Sequence, residues 1–367
     1  MAKRTVVIKV GSSTVTGADG RIDDRYLETL VAQVAALRAG GDRVVVVSSG
    51  AIAAGLEALG LTVRPTDMPT LQAAAAIGQI RLVDAYRRWF RQRDTLVAQV
   101  LVTRHDVGHR QQYLHACQTL ERLLDLGVVP IVNENDTTAV DEIRFGDNDN
   151  LAALVAMMVH ADLVVFLTDI DGLYSADPRT APDAQRLERV ESLTDEHVAS
   201  AGGAGSAVGS GGMATKVAAA SALMKAGIPL VVCDGRRPDV VVEAAEGKPV
   251  GTLFAGGKAA VKGRKLWLAY AGHARGSVTI DAGARDALCL RGKSLLPAGV
   301  IDVTGSFVVG DPIAVKDDQG SVVARGLAGM SADDLLKVKG RKLADIPGVL
   351  GGRSAAEVVH RDHLVIL

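Results

Sequence analysis

The sequence is poor in cysteine. Its 367 residues contain three, Cys117, Cys233 and Cys289, far apart and odd in number. That spacing argues against a disulfide framework and against a zinc site. Cys233 closes the apolar run Leu230-Val231-Val232 and reads as a small buried hydrophobe. Aromatic residues are only 3% of the chain, which leaves few faces for stacking exposed bases. Neither sign of charge dominates, since the formal net charge is -1, and no global field would attract nucleic acid or an anionic membrane. Long unbroken apolar runs are missing too. The most apolar stretch, Leu151 to Leu167, is interrupted by His160 and Asp162 and does not read as a membrane span. Lys9 interrupts the run Thr5-Val6-Val7-Ile8 that follows Lys3 and Arg4, and no signal-peptide core comes after it. A soluble, cytoplasmic protein is the expectation.

What is present is an ordinary globular composition, 48% hydrophobic and 23% charged, on a chain long enough for two domains. Runs of β-branched residues predict strands at Thr5–Val10, Arg43–Ser48, Thr95–Val102, Val128–Val132, Leu163–Thr168 and Pro229–Cys233. Between them, Ala- and Leu-rich segments predict helices around Asp24–Ala39, Thr70–Arg91, Gln111–Leu126, Asp149–His160 and Met213–Ala226. The alternation implies an α/β fold, a doubly wound and mainly parallel sheet. Beyond residue 258 the character changes. A basic patch of Lys258, Lys262, Arg264 and Lys265 precedes short Gly-punctuated strands at Gly276–Ile280, Gly299–Thr304, Pro312–Lys316 and Val322–Gly326. These predict a small mostly-β domain over 275–353. Residues 354–367 read as an appended tail.

Ligands of doubly wound sheets bind beyond the carboxyl ends of the strands, so the residues following each strand carry most of the chemical information. The first strand ends Ile8-Lys9-Val10-Gly11-Ser12-Ser13. A lysine in an apolar strand is costly unless it serves something, and glycine with two serines can surround an anion. An edge-strand lysine before an ordinary turn is the competing reading. The second strand runs into Ser48-Ser49-Gly50-Ala51, a small-residue loop suited to a substrate or simply a helix cap. The stretch from Asn133 to Asn150 concentrates short polar groups: Asn133, Glu134, Asn135, Asp136, then Gly146-Asp147-Asn148-Asp149-Asn150. They can hold an ammonium group, orient lysines or help position a metal; a surface loop of Asx turns is the alternative. Leu167-Thr168-Asp169-Ile170-Asp171-Gly172 follows a buried strand and places Thr168 and Asp169 where a nucleotide can lie. Finally, Ser210-Gly211-Gly212-Met213-Ala214-Thr215-Lys216 opens a helix, where glycines and free N–H groups favour phosphate. A flexible linker is the other reading of that run.

Taken in order, Val-Lys-Val-Gly-Ser-Ser, Val-Ser-Ser-Gly-Ala-Ile, Asn-Glu-Asn-Asp, Phe-Gly-Asp-Asn-Asp, Thr-Asp-Ile-Asp-Gly-Leu-Tyr and Gly-Gly-Met-x-Thr-Lys resemble the amino acid kinase family, and within it the kinases of free glutamate. The resemblance covers residues 3 to 260, and the C-terminal part resembles a PUA domain. It implies a kinase domain over 1–260, a linker over 261–274 and a PUA-like domain over 275–353. It also implies phosphoryl transfer from ATP, with Mg2+, to the side-chain carboxylate of L-glutamate as the first step of proline biosynthesis, with proline as a feedback inhibitor and a homo-oligomer (dimer or tetramer) as the assembly.

Carried over by motif, Lys9, Lys216 and Asp149 are the catalytic residues. Lys9, Gly11, Ser12, Thr168, Asp169, Ser210, Gly211, Gly212, Met213, Ala214, Thr215 and Lys216 bind ATP. Ser49, Gly50, Asn133, Asp136 and Asn148 bind the amino acid. No side chain is assigned to a metal. Ala214 stands where the family often has Ser or Thr. RNA is not expected as a partner, because 275–353 holds eleven basic against nine acidic residues and a single aromatic, Phe307. A sister kinase acting on another carboxylate or on a carbamate remains open on the same scaffold.

Overall fold

The computed structural model describes residues 3–17, 20–138, 148–176, 178, 180–181, 183–201, 212–257, 268, 274–350 and 357–366. The chain divides into two compact units, Met1–Asp106 with Tyr113–Ala260 and Val107–Gln112 with Val261–Leu367.

The first unit is built on strands β1 (Thr5–Val10), β2 (Arg43–Ser48), β3 (Val97–Val102), β4 (Val129–Glu134), β5 (Leu163–Thr168), β6 (Arg189–Val190), β7 (Leu230–Asp234) and β8 (Gly251–Phe254). They lie in the order β3-β4-β2-β1-β5-β7-β8-β6, and every pairing is parallel except β7 with β8. This is the doubly wound, mainly parallel α/β sheet that the sequence predicts. All six residues of β1 are buried, as befits a central strand covered on both faces. Lys9 is therefore no edge-strand lysine. From β1 the chain turns towards β2, whereas β5, the neighbour on the other side, leads to the opposite half of the sheet. The crevice between the ends of β1 and β5 is thus the topological switch point, where such sheets bind ligands. Gly11 N–H donates to Leu167 O at 3.2 Å across it.

Alternation along β1 sends its side chains to two layers. Val6, Ile8 and Val10 enter a core shared with Leu27, Leu30 and Val34 of helix Asp24–Ala39. Lys9 points to the other layer, where helix Asn148–Met158 packs on β1 and beside helix Met213–Ala226. Local signals set the helix starts. Asp23 caps one through Tyr26 N–H, and Asp67 caps another through Thr70 N–H with Pro69 in its first turn. Helix Met213–Ala226 ends at Gly227 in the left-handed region.

Among the helices that the sequence reading did not predict is Ala51–Ala58, which follows Gly50. It touches helix Met68–Arg91 backbone to backbone, because a Cβ on Gly55 would sit 1.8 Å from Ala74 O and one on Gly78 would sit 1.8 Å from Ala51 O. A side chain at Gly78 can be accommodated only by parting the two helices. Gly78→Ala is expected to cost about 2–3 kcal/mol, the upper range for overpacking, seen as a fall of several degrees in Tm. An unchanged Tm would show that the helices separate freely.

The second unit holds β9 (Gly276–Ile280), β10 (Val300–Gly305), β11 (Pro312–Lys316), β12 (Val322–Leu327) and β13 (Leu364–Ile366), in the order β10-β9-β11-β12-β13. Only β9 and β11 pair in parallel; the other pairings are antiparallel. Helices Ala282–Cys289 and Ala332–Val338 bury Leu288, Leu335 and Val338 against this sheet's core, alongside Phe307. The segment expected as a tail supplies β13, and Val358 and Val359 belong to the same core. The apolar run Leu364-Val365-Ile366 is too short to give a periodic signal, and pairing with β12 makes it a strand. Among the described residues, no helix is long and apolar enough to cross a membrane.

Candidate functional site

Three charged side chains meet at the end of β1. Lys9 Nζ lies 2.7 Å from Asp149 Oδ1, and Lys216 Nζ lies 3.4 Å from Asp149 Oδ2. All three residues are buried, at 6%, 1% and 3% exposure for Lys9, Asp149 and Lys216. Thr215 Oγ1 donates to Asp149 Oδ2 at 2.7 Å and also approaches Gly212 O at 2.8 Å. The ring of Phe166 stands 5.9 Å from Lys9 Nζ, a distance at which its face favours a cation.

The packing of two helix starts creates this triad. Asp149 lies in the first turn of helix Asn148–Met158, where the helix dipole welcomes an anion. Lys216 lies in the first turn of helix Met213–Ala226, where the dipole opposes a cation. That unfavourable placement is offset by Asp149. Burial alone would raise the Asp149 pKa, but the charges of Lys9 and Lys216 and hydrogen bonds from Lys9 and Thr215 bring it below the ordinary carboxylate value. Burial likewise depresses the Lys216 pKa, with Asp149 opposing the shift. One carboxylate shared by two ammonium groups leaves a net positive charge in a mostly water-free crevice, a setting made for an anion.

The residues expected to bind the nucleotide lie around this triad in part. Gly11 and Ser12 open the short helix Ser12–Val15, and Gly11 has no side-chain cap to offer. Thr168 ends β5, buried, and its hydroxyl donates to Asp169 Oδ1 at 3.0 Å, with Asp169 exposed. Gly212 starts helix Met213–Ala226 without a side-chain cap, so Met213, Ala214 and Thr215 present backbone N–H groups at its first turn. Ser210 and Gly211 lie outside the described residues, as do Gly146 and Asp147.

A second cluster is assembled from four separate segments. Asn148 Nδ2 donates to Ser49 Oγ at 2.7 Å and to Asn133 Oδ1 at 3.0 Å, with Ser48 O at 3.4 Å. Asn133 Nδ2 donates to Gln79 Oε1 at 2.8 Å. Ser49 is not the helix cap that the competing reading proposed; Gly50 occupies that place at φ 103°, and the serine hydroxyl faces Asn148. A Cβ on Gly50 would come 2.5 Å from Val15 Cγ1, so the turn demands glycine twice over. Asp136 is half-buried in the turn after β4. Because Asn148 and Asp149 are consecutive, the two clusters share a wall. Gln79 was missed by the sequence reading, since a glutamine within a regular helix carries no local signal.

Among the described residues, no three His, Cys, Asp or Glu side chains gather as a metal would require. Asp149 is already engaged by two lysines and a threonine.

Residues 4–234 match the amino acid kinase family, and residues 276–350 match the PUA domain. The chain belongs to the amino acid kinase family. Full-length relatives within reach of this family member include the glutamate 5-kinase of Citrifermentans bemidjiense, 46% identical, covering 99% of this chain and 98% of the relative. The glutamate 5-kinase of Meiothermus ruber is 48% identical, with 99% of this chain and 96% of the relative covered.

Proposed function

We propose that this amino acid kinase transfers the γ-phosphoryl group of ATP to the side-chain carboxylate of L-glutamate, the first step of proline biosynthesis. The observation that carries the reading is the buried Lys9–Asp149–Lys216 triad beside the Ser49–Asn148–Asn133 cluster. The full-length similarity to glutamate 5-kinases supports the choice of acceptor.

In the reaction, a glutamate carboxylate oxygen attacks the γ-phosphorus. The new O–P bond forms as the bond to the β-phosphate oxygen breaks, and ADP leaves with that electron pair. No general base is needed, because a glutamate carboxylate with pKa about 4.3 is already ionised at neutral pH. What remains is positioning and charge stabilisation. Lys9 and Lys216 neutralise the transferring group from two sides, and Asp149 holds both ammonium groups in place. Gly11, Ser12 and the N–H groups at Gly212–Thr215 bind phosphate oxygens, and Thr168 and Asp169 lie at the nucleotide. Ser49, Gly50, Asn133, Asp136 and Asn148 bind the amino acid, with Asp136 the partner of its ammonium group. The residues present fit a magnesium ion that arrives on the nucleotide and keeps its waters, with few protein ligands. When bound, that ion neutralises phosphate charge.

ATP-dependent hydroxamate formation across glutamate, aspartate and N-acetylglutamate tests the reading. Glutamate alone is expected to give strong signal; signal confined to another acceptor would overturn the substrate assignment. Proline is expected to inhibit by competing at the amino acid loops, and a flat activity curve across a proline titration would remove that part. The depressed Lys216 pKa adds a further expectation. Activity falls as the ammonium group deprotonates, so the alkaline limb of kcat/KM, which reports the free enzyme, should begin below the ordinary lysine value of about 10.4. A limb that begins only at that value would mean that Lys216 keeps its charge despite burial.

A further inference from the structure

Gln79 stands at the floor of the amino acid cluster, buried on helix Met68–Arg91 and held close by the contact at Gly78. Its Oε1 accepts from Asn133 Nδ2 at 2.8 Å, while its Nε2, also buried, has no partner among the described residues. The direction of the first bond is imposed by the main chain. Glu134 N–H donates to Asn133 Oδ1 at 2.9 Å, and a backbone nitrogen can only donate. The carbonyl oxygen of Asn133 must therefore lie on that side, and its NH2 must face Gln79. The same Asn133 oxygen takes Asn148 Nδ2 at 3.0 Å, so Asn148 turns its NH2 towards Asn133 and Ser49.

Two consequences reach the substrate. Asn148 Oδ1 meets no donor among the described residues, which leaves it as an acceptor for an ammonium group. Ser49 Oγ already accepts from Asn148, so its hydroxyl proton is left to donate to a carboxylate oxygen. Acceptor and donor stand side by side, the polarity that a zwitterionic amino acid requires. Only an acceptor at position 79 satisfies the inward NH2 of Asn133, and the unpartnered Nε2 indicates that the acceptor oxygen is the part of Gln79 in use.

We infer that Gln79 is a positioning residue for amino acid recognition, acting through Asn133 to hold Asn148 as acceptor and Ser49 as donor towards the substrate. This deepens the glutamate reading and rests on it. Without that acceptor, the Asn133 NH2 is buried and unpaired, and the cluster relieves this by turning amides away from the binding polarity.

The test is a double-mutant cycle of Gln79→Met, which keeps length and volume but has no strong acceptor, with Asn133→Ala, after the parent enzyme has been assayed with glutamate. Gln79→Met is expected to raise the glutamate KM about tenfold, the range for one orphaned buried polar group, with ATP KM and kcat changed by less than about threefold. The double variant should be no worse than Asn133→Ala alone, because both remove one interaction. A glutamate KM that stays at the parent value, a parallel rise in both KM values, or strictly additive effects would each overturn the inference. Should Gln79→Met not fold, Gln79→Asn, whose amide stops one methylene short of Asn133, carries the same expectations. A parent enzyme inactive on glutamate but active on another acceptor would bring down the substrate reading first, and this inference with it. An active parent with an unaffected Gln79 variant would bring down this inference alone.

Discussion

Replacing Lys9 by alanine is expected to lower kcat by about two to three orders of magnitude, the usual cost of removing one preorganised donor from a developing charge. The lysine is buried on the central strand, and Asp149 at 2.7 Å fixes its ammonium group. Its charge is therefore aimed before any substrate arrives. A contact made mainly in the transition state lowers kcat and kcat/KM together, whereas a ground-state phosphate contact raises KM alone. The expected pattern is the first. Stability should fall as well, since Lys216 and Thr215 pair only with Asp149 Oδ2 and truncation leaves the buried Oδ1 without its partner. Near-normal turnover in Lys9→Ala would remove Lys9 from catalysis. Lys9→Arg should not restore activity, because a planar guanidinium cannot occupy the space of a compact ammonium group at that strand end.

Asp149→Asn is expected to be nearly as damaging to activity and far more damaging to the fold. It strands two buried ammonium groups, and breaking a buried charge pair costs about 3–5 kcal/mol. The acid side supplies a check on cause. The Asp149 pKa is lowered in the folded protein, chiefly by its two lysines working against the cost of burial. The stability it contributes is therefore fully present above the unfolded value of about 3.9, and is lost as pH falls through the lower folded value. The gap between parent and variant, measured by denaturant titration, should be constant from neutrality down to about pH 5 and should narrow below about pH 4. A gap that ignores acid would mean that the aspartate acts through shape and not through charge.

Much of this architecture is local information. β1, β2 and β5, and the helices Asp24–Ala39 and Met213–Ala226, begin and end where the sequence reading places them. Continuous β-branched runs specify buried parallel strands, while Asp23 and Gly227 mark a helix start and a helix end without help from the rest of the fold. The order of the motifs was likewise enough to point to the kinase family.

Only the tertiary structure decided which of these residues touch. Lys9, Asp149 and Lys216 are separated by 140 and 67 positions, by subtraction of their numbers, and no local rule joins them. They meet because two helices start side by side above the end of one central strand. Gln79 reached Asn133 and its cluster only because glycines at 55 and 78 let two helix backbones touch. The short helix Ala51–Ala58 and the strand β13 had too little periodicity to be read, and gained their structure from partners distant in sequence. Strand and helix starts follow from the chain's own covalent and steric preferences, whereas a binding polarity is a property of neighbours, and neighbours are chosen by packing.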